Sequence, residues 1–351
     1  MSLFASLENL NKVVEEAADL EAMSFDEIDE VMSLSLEAEL LQADIDMSMT
    51  EFEALEDAFV SLEALNSVIA EHGICKSIML AADPKGELHK YIDGLPAVES
   101  LDVVPINDAN AVAATEAIGE TLKKWYDAII AWFKSIGEKI AKFFTLVKQL
   151  FMKNASILES LKKKVNAIDL PKDKKKVKLP SAAAMKTVQE SIIKLIKTLG
   201  GSDTTDPEDI KVPGVKVEGE GEKVRFVFDK EVFKAEEKTM GELGWGKSSI
   251  ISAIDAAITV CKEMAGIDRI VKQLKKEESE AKKAASKADE ASKADAQKAV
   301  KAAKFFVGGA KALDALSRRY VSTVISIGNA YSGKKADTVS SNDAPTAGEM
   351  P

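Results

Sequence analysis

The sequence predicts a mainly α fold, and three observations carry that prediction. Apolar residues recur every three or four positions through most of the 351 residues. Alternation of period two is convincing in one stretch only, "VPGVKVEGEGEKVRFVFD" at 212–229, which reads as a β-hairpin. The chain is 46% hydrophobic with a mean hydropathy of −0.07, enough apolar material for a core. No uninterrupted apolar run approaches the ~18–20 residues of a membrane span. The expected architecture is a helical body with one small hairpin, preceded by an acidic segment that is part helical and part loop-rich.

The elements follow in chain order. The N-terminus "MSLFASLENLNKVVEEAADLEAM" has no basic start and no cleavable apolar stretch, so it does not read as a secretory signal. Residues 1–73 read as short acidic helices. Ser24 with Glu27, and Thr50 with Glu53, are capping-box pairs that mark helix starts. Phe52, Leu55, Phe59, Leu62 and Leu65 follow at helical spacing. Residues 74–113 lose this periodicity and carry Pro84, Pro96, Pro105, Gly86 and Gly94, as a connector would. Everything before 117 is therefore expected to be extended or weakly packed.

From 117 the chain is strongly amphipathic. Trp125, Ile129, Trp132, Ile136, Ile140, Phe143, Val147 and Leu150 share one helix face, and Lys dominates the other. Such a face either packs on its own domain or lies on an anionic membrane. A basic loop, "DLPKDKKKVKLP", occupies 169–180, a helix is expected over 181–199, and the hairpin follows. Helices resume near 230 and run from 248 to about 335. Within them "SKADEASKADAQKAVKAAK", 286–304, reads as a solvated or coiled-coil-like helix or as a linker. The last helix carries a stripe at Leu313, Leu316, Tyr320, Val324, Ile327 and Tyr331, and residues 336–351 read as a disordered tail.

"TMGELGWGKSSI", 239–250, holds the letters of a phosphate-binding loop: Gly241, then Gly246-Lys247-Ser248. A working loop needs an apolar strand feeding the turn, so that backbone N–H groups and the Lys converge on phosphate. The upstream "FKAEEKTM" is charged and helix-favouring, so the segment reads as a Gly-rich break between two helices, the second N-capped by Ser248. On that reading Lys247→Ala leaves the protein's properties intact. Cys261 falls on the stripe Ile254, Ile258, Cys261, Ala265 and is expected to pack as a small hydrophobe. His72 and Cys75 in "HGIC" lack a second ligand pair and do not make a metal site. With two His and no nucleophile–base constellation, the sequence implies no enzyme and no cofactor.

Charge divides the chain. Residues 1–116 hold 26 Asp and Glu against 4 Lys, a net of −22, whereas residues 117–351 hold 32 against 43 Lys and Arg, a net of +11. The sign changes where the text reads Ala114-Thr115-Glu116 and then Ala117. The same form, a small residue, any residue, Glu and a small residue, recurs at Ala97-Val98-Glu99 before Ser100. It recurs again with Glu37 before Ala38 and with Glu63 before Ala64. Beyond 117 it occurs at Ala288-Asp289-Glu290 before Ala291. The segment around Glu116 follows the Pro-containing connector, so its backbone is expected to be accessible to a protease.

The repeated Glu sites are similar to those cut by prohead proteases of giant tailed bacteriophages. An acidic leader followed by a basic body resembles their internal head (prohead inner core) proteins. The resemblance implies an acidic propeptide, 1–116, placed in the scaffold core and removed by the prohead protease after Glu37, Glu63, Glu99 and Glu116. It implies a mature body, 117–335, beginning at Ala117 or Ser100 and retained inside the head with DNA and with other head or scaffold-core proteins. The protein would pass through the host cytoplasm during assembly.

The charge agrees with that expectation. A body at +11 binds duplex DNA through counterion release, and a segment at −22 masks it. Only Arg225, Arg269, Arg318 and Arg319 are Arg, so the composition suits sequence-blind contact. The candidate DNA contacts are Lys172, Lys174, Lys175, Lys176, Arg318 and Arg319. The alternative is a membrane-active amphipathic helix masked by the same acidic segment.

Overall fold

The structure, a computed structural model, describes residues 25–82, 98–103, 109–168, 176–201, 212–218, 225–265, 268–285 and 290–332. Ser24, Lys172, Lys174, Lys175 and the tail 336–351 lie outside them. The described residues are mainly helical: α1 Phe25–His72, α2 Lys76–Ala82, α3 Ala109–Ala167, α4 Ala182–Gly201, α5 Lys247–Ala265, α6 Asp268–Ala285 and α7 Glu290–Tyr331. Two 3-10 turns, Val98–Ser100 and Lys230–Phe233, and four short strands complete the order: β1 Lys176–Leu179, β2 Val215–Glu218, β3 Arg225–Phe228 and β4 Glu236–Thr239.

The expected short helices of the acidic segment are a single helix of 48 residues. No Gly or Pro interrupts 25–72. Thr50, expected to open a helix, donates its hydroxyl to the Asp46 carbonyl one turn back at 3.0 Å, so the helix passes through it. Termination comes at Gly73, whose φ of 82° suits the left-handed C-terminal position, with its N–H donating to the Ile69 carbonyl at 2.9 Å. Nor is the segment weakly packed. Ala38, Ile45, Phe52, Phe59, Leu62, Leu65 and Ile69 are all buried.

The chain forms two compact units, each assembled from separated stretches. Among the described residues, one comprises those within 25–39, 143–270 and 307–332; the other comprises those within 40–142 and 271–306. In the first unit α4 packs on α5, and the hairpin β2–β3 forms antiparallel with Val215 opposite Phe228. A second antiparallel pair, β1–β4, joins Lys176 to Thr239 and Leu179 to Glu236. The expected helix-favouring reading of "FKAEEKTM" gives way here to a strand, and the basic loop 169–180 contributes the other.

The stripe of α7 is buried throughout: Leu313, Leu316, Tyr320, Val324, Ile327 and Tyr331. Glycines let neighbours approach it. A Cβ on Gly309 would stand 2.5 Å from Leu199 Cδ2, and one on Gly328 would stand 2.5 Å from Leu161 Cδ2. Cys261 is buried on the expected stripe, where desolvation pushes its thiol up to about 12.

In the second unit a core of Leu62, Leu65, Ile69, Ile74, Met79, Leu101, Ala111, Ala114 and Ile118 ties the end of α1 and the connector to the start of α3. The Ala/Lys-rich segment from 290 onward is helix, with Ala296, Ala299, Val300, Ala302 and Ala303 buried.

Candidate functional site

The phosphate-loop letters fold into a different device. Thr239 ends a strand, but that strand is mostly exposed and charged. The turn uses its own N–H groups. Leu243 donates to Thr239, Gly244 to Gly241 and Trp245 to Met240, while Gly246 donates to Ser249 Oγ at 2.8 Å. Glu242 sets its carboxylate on Thr239 N and Oγ1 at 2.8 and 2.7 Å. Helix α5 starts at Lys247, so Ser248 lies inside its first turn and does not cap it.

Lys247 Nζ donates to the carbonyls of Asn166 and Ile168 at 2.9 and 2.8 Å, which makes it the cation at the C-terminus of α3. The residue therefore stabilises a helix end, and Lys247→Ala is not silent. The variant is expected to lose about 1 kcal/mol of stability. Urea denaturation measures the loss, and thermal scans with added nucleotide are expected to show no shift in either protein.

The Trp-rich face of α3 is covered within its own unit. Trp125, Ile129, Trp132, Ile136 and Ile140 are buried. The cover is the acidic helix. Phe52 stacks on Trp132 with centroids 4.1 Å apart, and Phe59 stacks on Trp125 at 3.8 Å. As α1 advances from 52 to 59, α3 retreats from 132 to 125, so the two run antiparallel and meet at seven-residue spacing. Polar contacts frame the stacks. Trp132 Nε1 donates to the Ser48 carbonyl at 3.2 Å, and Lys139 reaches Asp44 at 3.0 Å and Ser48 Oγ at 2.6 Å. Lys304, with its Nζ 5.7 Å from the Phe52 ring centroid, pairs with Glu56. In the other unit Lys153 pairs with Glu30, and Arg318 donates to Ser35 Oγ at 3.4 Å. Each of these bonds joins the acidic third to the basic remainder.

The four Glu sites before 117 occupy different settings. Glu99 and Ser100 are both exposed and lie in a single 3-10 turn, Val98–Ser100. Glu37 is exposed within α1 while Ala38 is fully buried, and Glu63 is half-buried in the same helix. Glu116 is exposed, but its peptide bond lies inside α3, with Ala114 and Ile118 both fully buried. The accessible backbone expected at Glu116 is therefore absent in the described state. Alanine-rich sequence from 109 carries the helix back across the junction. Glu290, of the site beyond 117, is the first residue of α7.

The candidate cations also differ. Lys176 is an exposed residue at the start of β1. Arg318 is turned inward, its Nη2 2.9 Å from the buried Asp314 carboxylate, and Arg319 is half-buried. Burial pushes Asp314 up and Arg318 opposes the shift. Among the described residues no group of His, Cys, Asp and Glu is placed to hold a metal, and no helix is long and apolar enough to cross a membrane.

No curated protein and no solved structure matches the chain. A family model, phiKZ-like phage internal head proteins, matches residues 5–205, a span that covers both the acidic segment and the first part of the basic body. The match takes in more than half of the chain, and the chain belongs to the phiKZ-like phage internal head proteins, structural components inside the phage head.

Proposed function

We propose that the protein is assembled into the phage head with its acidic segment in place, and that the maturation protease then removes this segment and leaves a basic body in contact with packaged DNA. The observation that carries the reading is the pairing of the acidic segment with the body's cations: Asp44 with Lys139, Glu56 with Lys304 and Glu30 with Lys153. While these hold, the protein carries −11; without residues 1–116 it carries +11. Lys139 and Lys304 then join Lys176 and the exposed Lys of α3 and α7 as phosphate contacts, whereas Arg318 stays committed to Asp314.

The settings of the Glu sites suggest an order. Glu99–Ser100 is cut first, because this single exposed 3-10 turn opens into a protease cleft at less cost than a bond inside a long helix. The bond after Glu116 follows once the first turns of α3 unwind, since loss of the acidic segment removes Leu62, Leu65 and Ile69 from beside Ala114 and Ile118. The test compares the full chain with the form purified from mature particles. The mature form is expected to bind duplex DNA without sequence preference, with affinity falling linearly in log–log against salt, and the full chain is expected to bind far more weakly. Equal affinity at low salt would contradict the masking.

A further inference from the structure

We propose that the Trp125–Trp132 face of α3, flanked by Lys139 and Lys304, is a docking surface for an acidic amphipathic helix. It is filled in cis by residues 40–72 and takes the same segment of a second copy once the connector is severed.

The surface is built for this occupant in three ways. Its apolar part consists of two indole faces one heptad apart, and each receives a Phe from α1 in a near-parallel stack, at 23° and 16° between planes. Its rim consists of two Lys that each meet a carboxylate: Lys139 meets Asp44, and Lys304 meets Glu56 while also lying over the Phe52 ring. Its register is set by Trp132 Nε1 on the Ser48 carbonyl and Lys139 on Ser48 Oγ, two bonds that a shift along the helix would break. The occupant must therefore present two aromatic residues seven apart. It must also place an acid eight residues before the first of them and another four residues after it, which is the spacing of Asp44, Phe52, Glu56 and Phe59.

The contacts needed for this recognition lie within 44–59 and do not pass through the connector between α2 and the 3-10 turn. Cutting that connector removes the effective concentration that holds the segment in cis but leaves every recognition contact intact. A nicked molecule should thus keep its acidic fragment, and two nicked molecules should trade fragments. Retention also gives the sites at Glu37 and Glu63 a role. Cuts there leave residues 38–63, with all four recognition side chains, as one piece, but part it from Glu30 and Ser35 on one side and from Leu65 and Ile69 on the other, and so remove contacts that help to hold it.

The inference shares with the proposed function the separation of the acidic segment from the body. Its test uses an engineered cut, so it stands or falls independently of where a phage protease acts. A recognition sequence for a site-specific protease is inserted between Gly94 and Leu95 of the full chain, and the protein is cut to completion. Size-exclusion chromatography at physiological salt is expected to show residues 1–94 eluting with the body. On mixing with nicked protein whose acidic fragment is fluorescently labelled, label is expected to appear on unlabelled bodies. The same chain carrying Asp44→Lys and Glu56→Lys, half-buried rim positions outside the Phe stacks, is expected to release its fragment at least tenfold faster. Separation of the fragments immediately on cutting, retention with no exchange, or unchanged release from the charge-reversed chain would each overturn the proposal.

Discussion

Phe59→Ala is expected to lower the unfolding free energy by about 3–5 kcal/mol, the usual cost of emptying a buried Phe site. Phe59 is 4% exposed and lies face to face with Trp125 at 3.8 Å. Truncation removes the apolar burial, opens a cavity beside the indole and ends the stack, and α1 cannot slide to fill the space without breaking the Trp132–Ser48 bond. Val60, one position on and 55% exposed, provides the control: Val60→Ala is expected to change stability by less than about 0.5 kcal/mol. Urea denaturation followed by tryptophan fluorescence measures both. If Phe59→Ala were as silent as Val60→Ala, the acidic helix would not be seated on α3 in solution.

A comparable loss, about 3–5 kcal/mol at neutral pH, is expected for Arg318→Ala, because it strands the Asp314 carboxylate in the core of its unit. The side chain of Asp314 is 2% exposed and its charge is met by Arg318 at 2.9 Å. Burial already pushes the Asp314 pKa up against the pull of the guanidinium, and without Arg318 it rises further. The native variant then binds a proton that the unfolded chain, with an Asp near pKa 3.9, does not. A group raised in the native state gives stability that falls as pH rises. The variant's deficit should therefore be small near pH 4 and reach its full size above the raised pKa. Asp314→Asn combined with Arg318→Met removes both charges and is expected to recover much of the loss. Denaturation curves across pH 4–8 check the sign, and a deficit independent of pH would show that packing, not charge, is what Arg318 supplies.

Much of the fold was legible because burial follows period. The stripes from Trp125 to Leu150 and from Leu313 to Tyr331 are buried as their spacing requires. The hairpin at 215–228 was equally readable from its alternation. The β1–β4 pair was not. Its strands are four residues each, charged, and far apart in sequence, so only tertiary placement makes them strands. Helix lengths were misjudged for a related reason. Thr50 and Glu53 carry the letters of a helix start, but a cap forms only where the preceding residues leave the helix, and nothing in 25–72 breaks it.

The candidate site divides the same way. The Glu sites, the charge reversal and the lysines could be read from the text. Their settings could not, because accessibility at Glu116 depends on Ala114 and Ile118 packing against Leu62, Leu65 and Ile69 more than forty residues upstream. The heptad match between Phe52–Phe59 and Trp125–Trp132 was present in the sequence. It stayed hidden because each stripe was read alone, and the pairing of two stripes is decided by antiparallel register.

The central claim is that the acidic segment is removed in the head. Non-tryptic peptide mapping of the protein from mature particles tests it most directly. The account predicts an N-terminus at Ala117, or at Ser100 where cutting stops at the exposed turn, with residues 1–99 depleted relative to the body. In particles carrying Glu116→Gln the N-terminus is expected at Ser100. Mature particles in which chains starting at Met1 or Ser2 predominate would contradict the account.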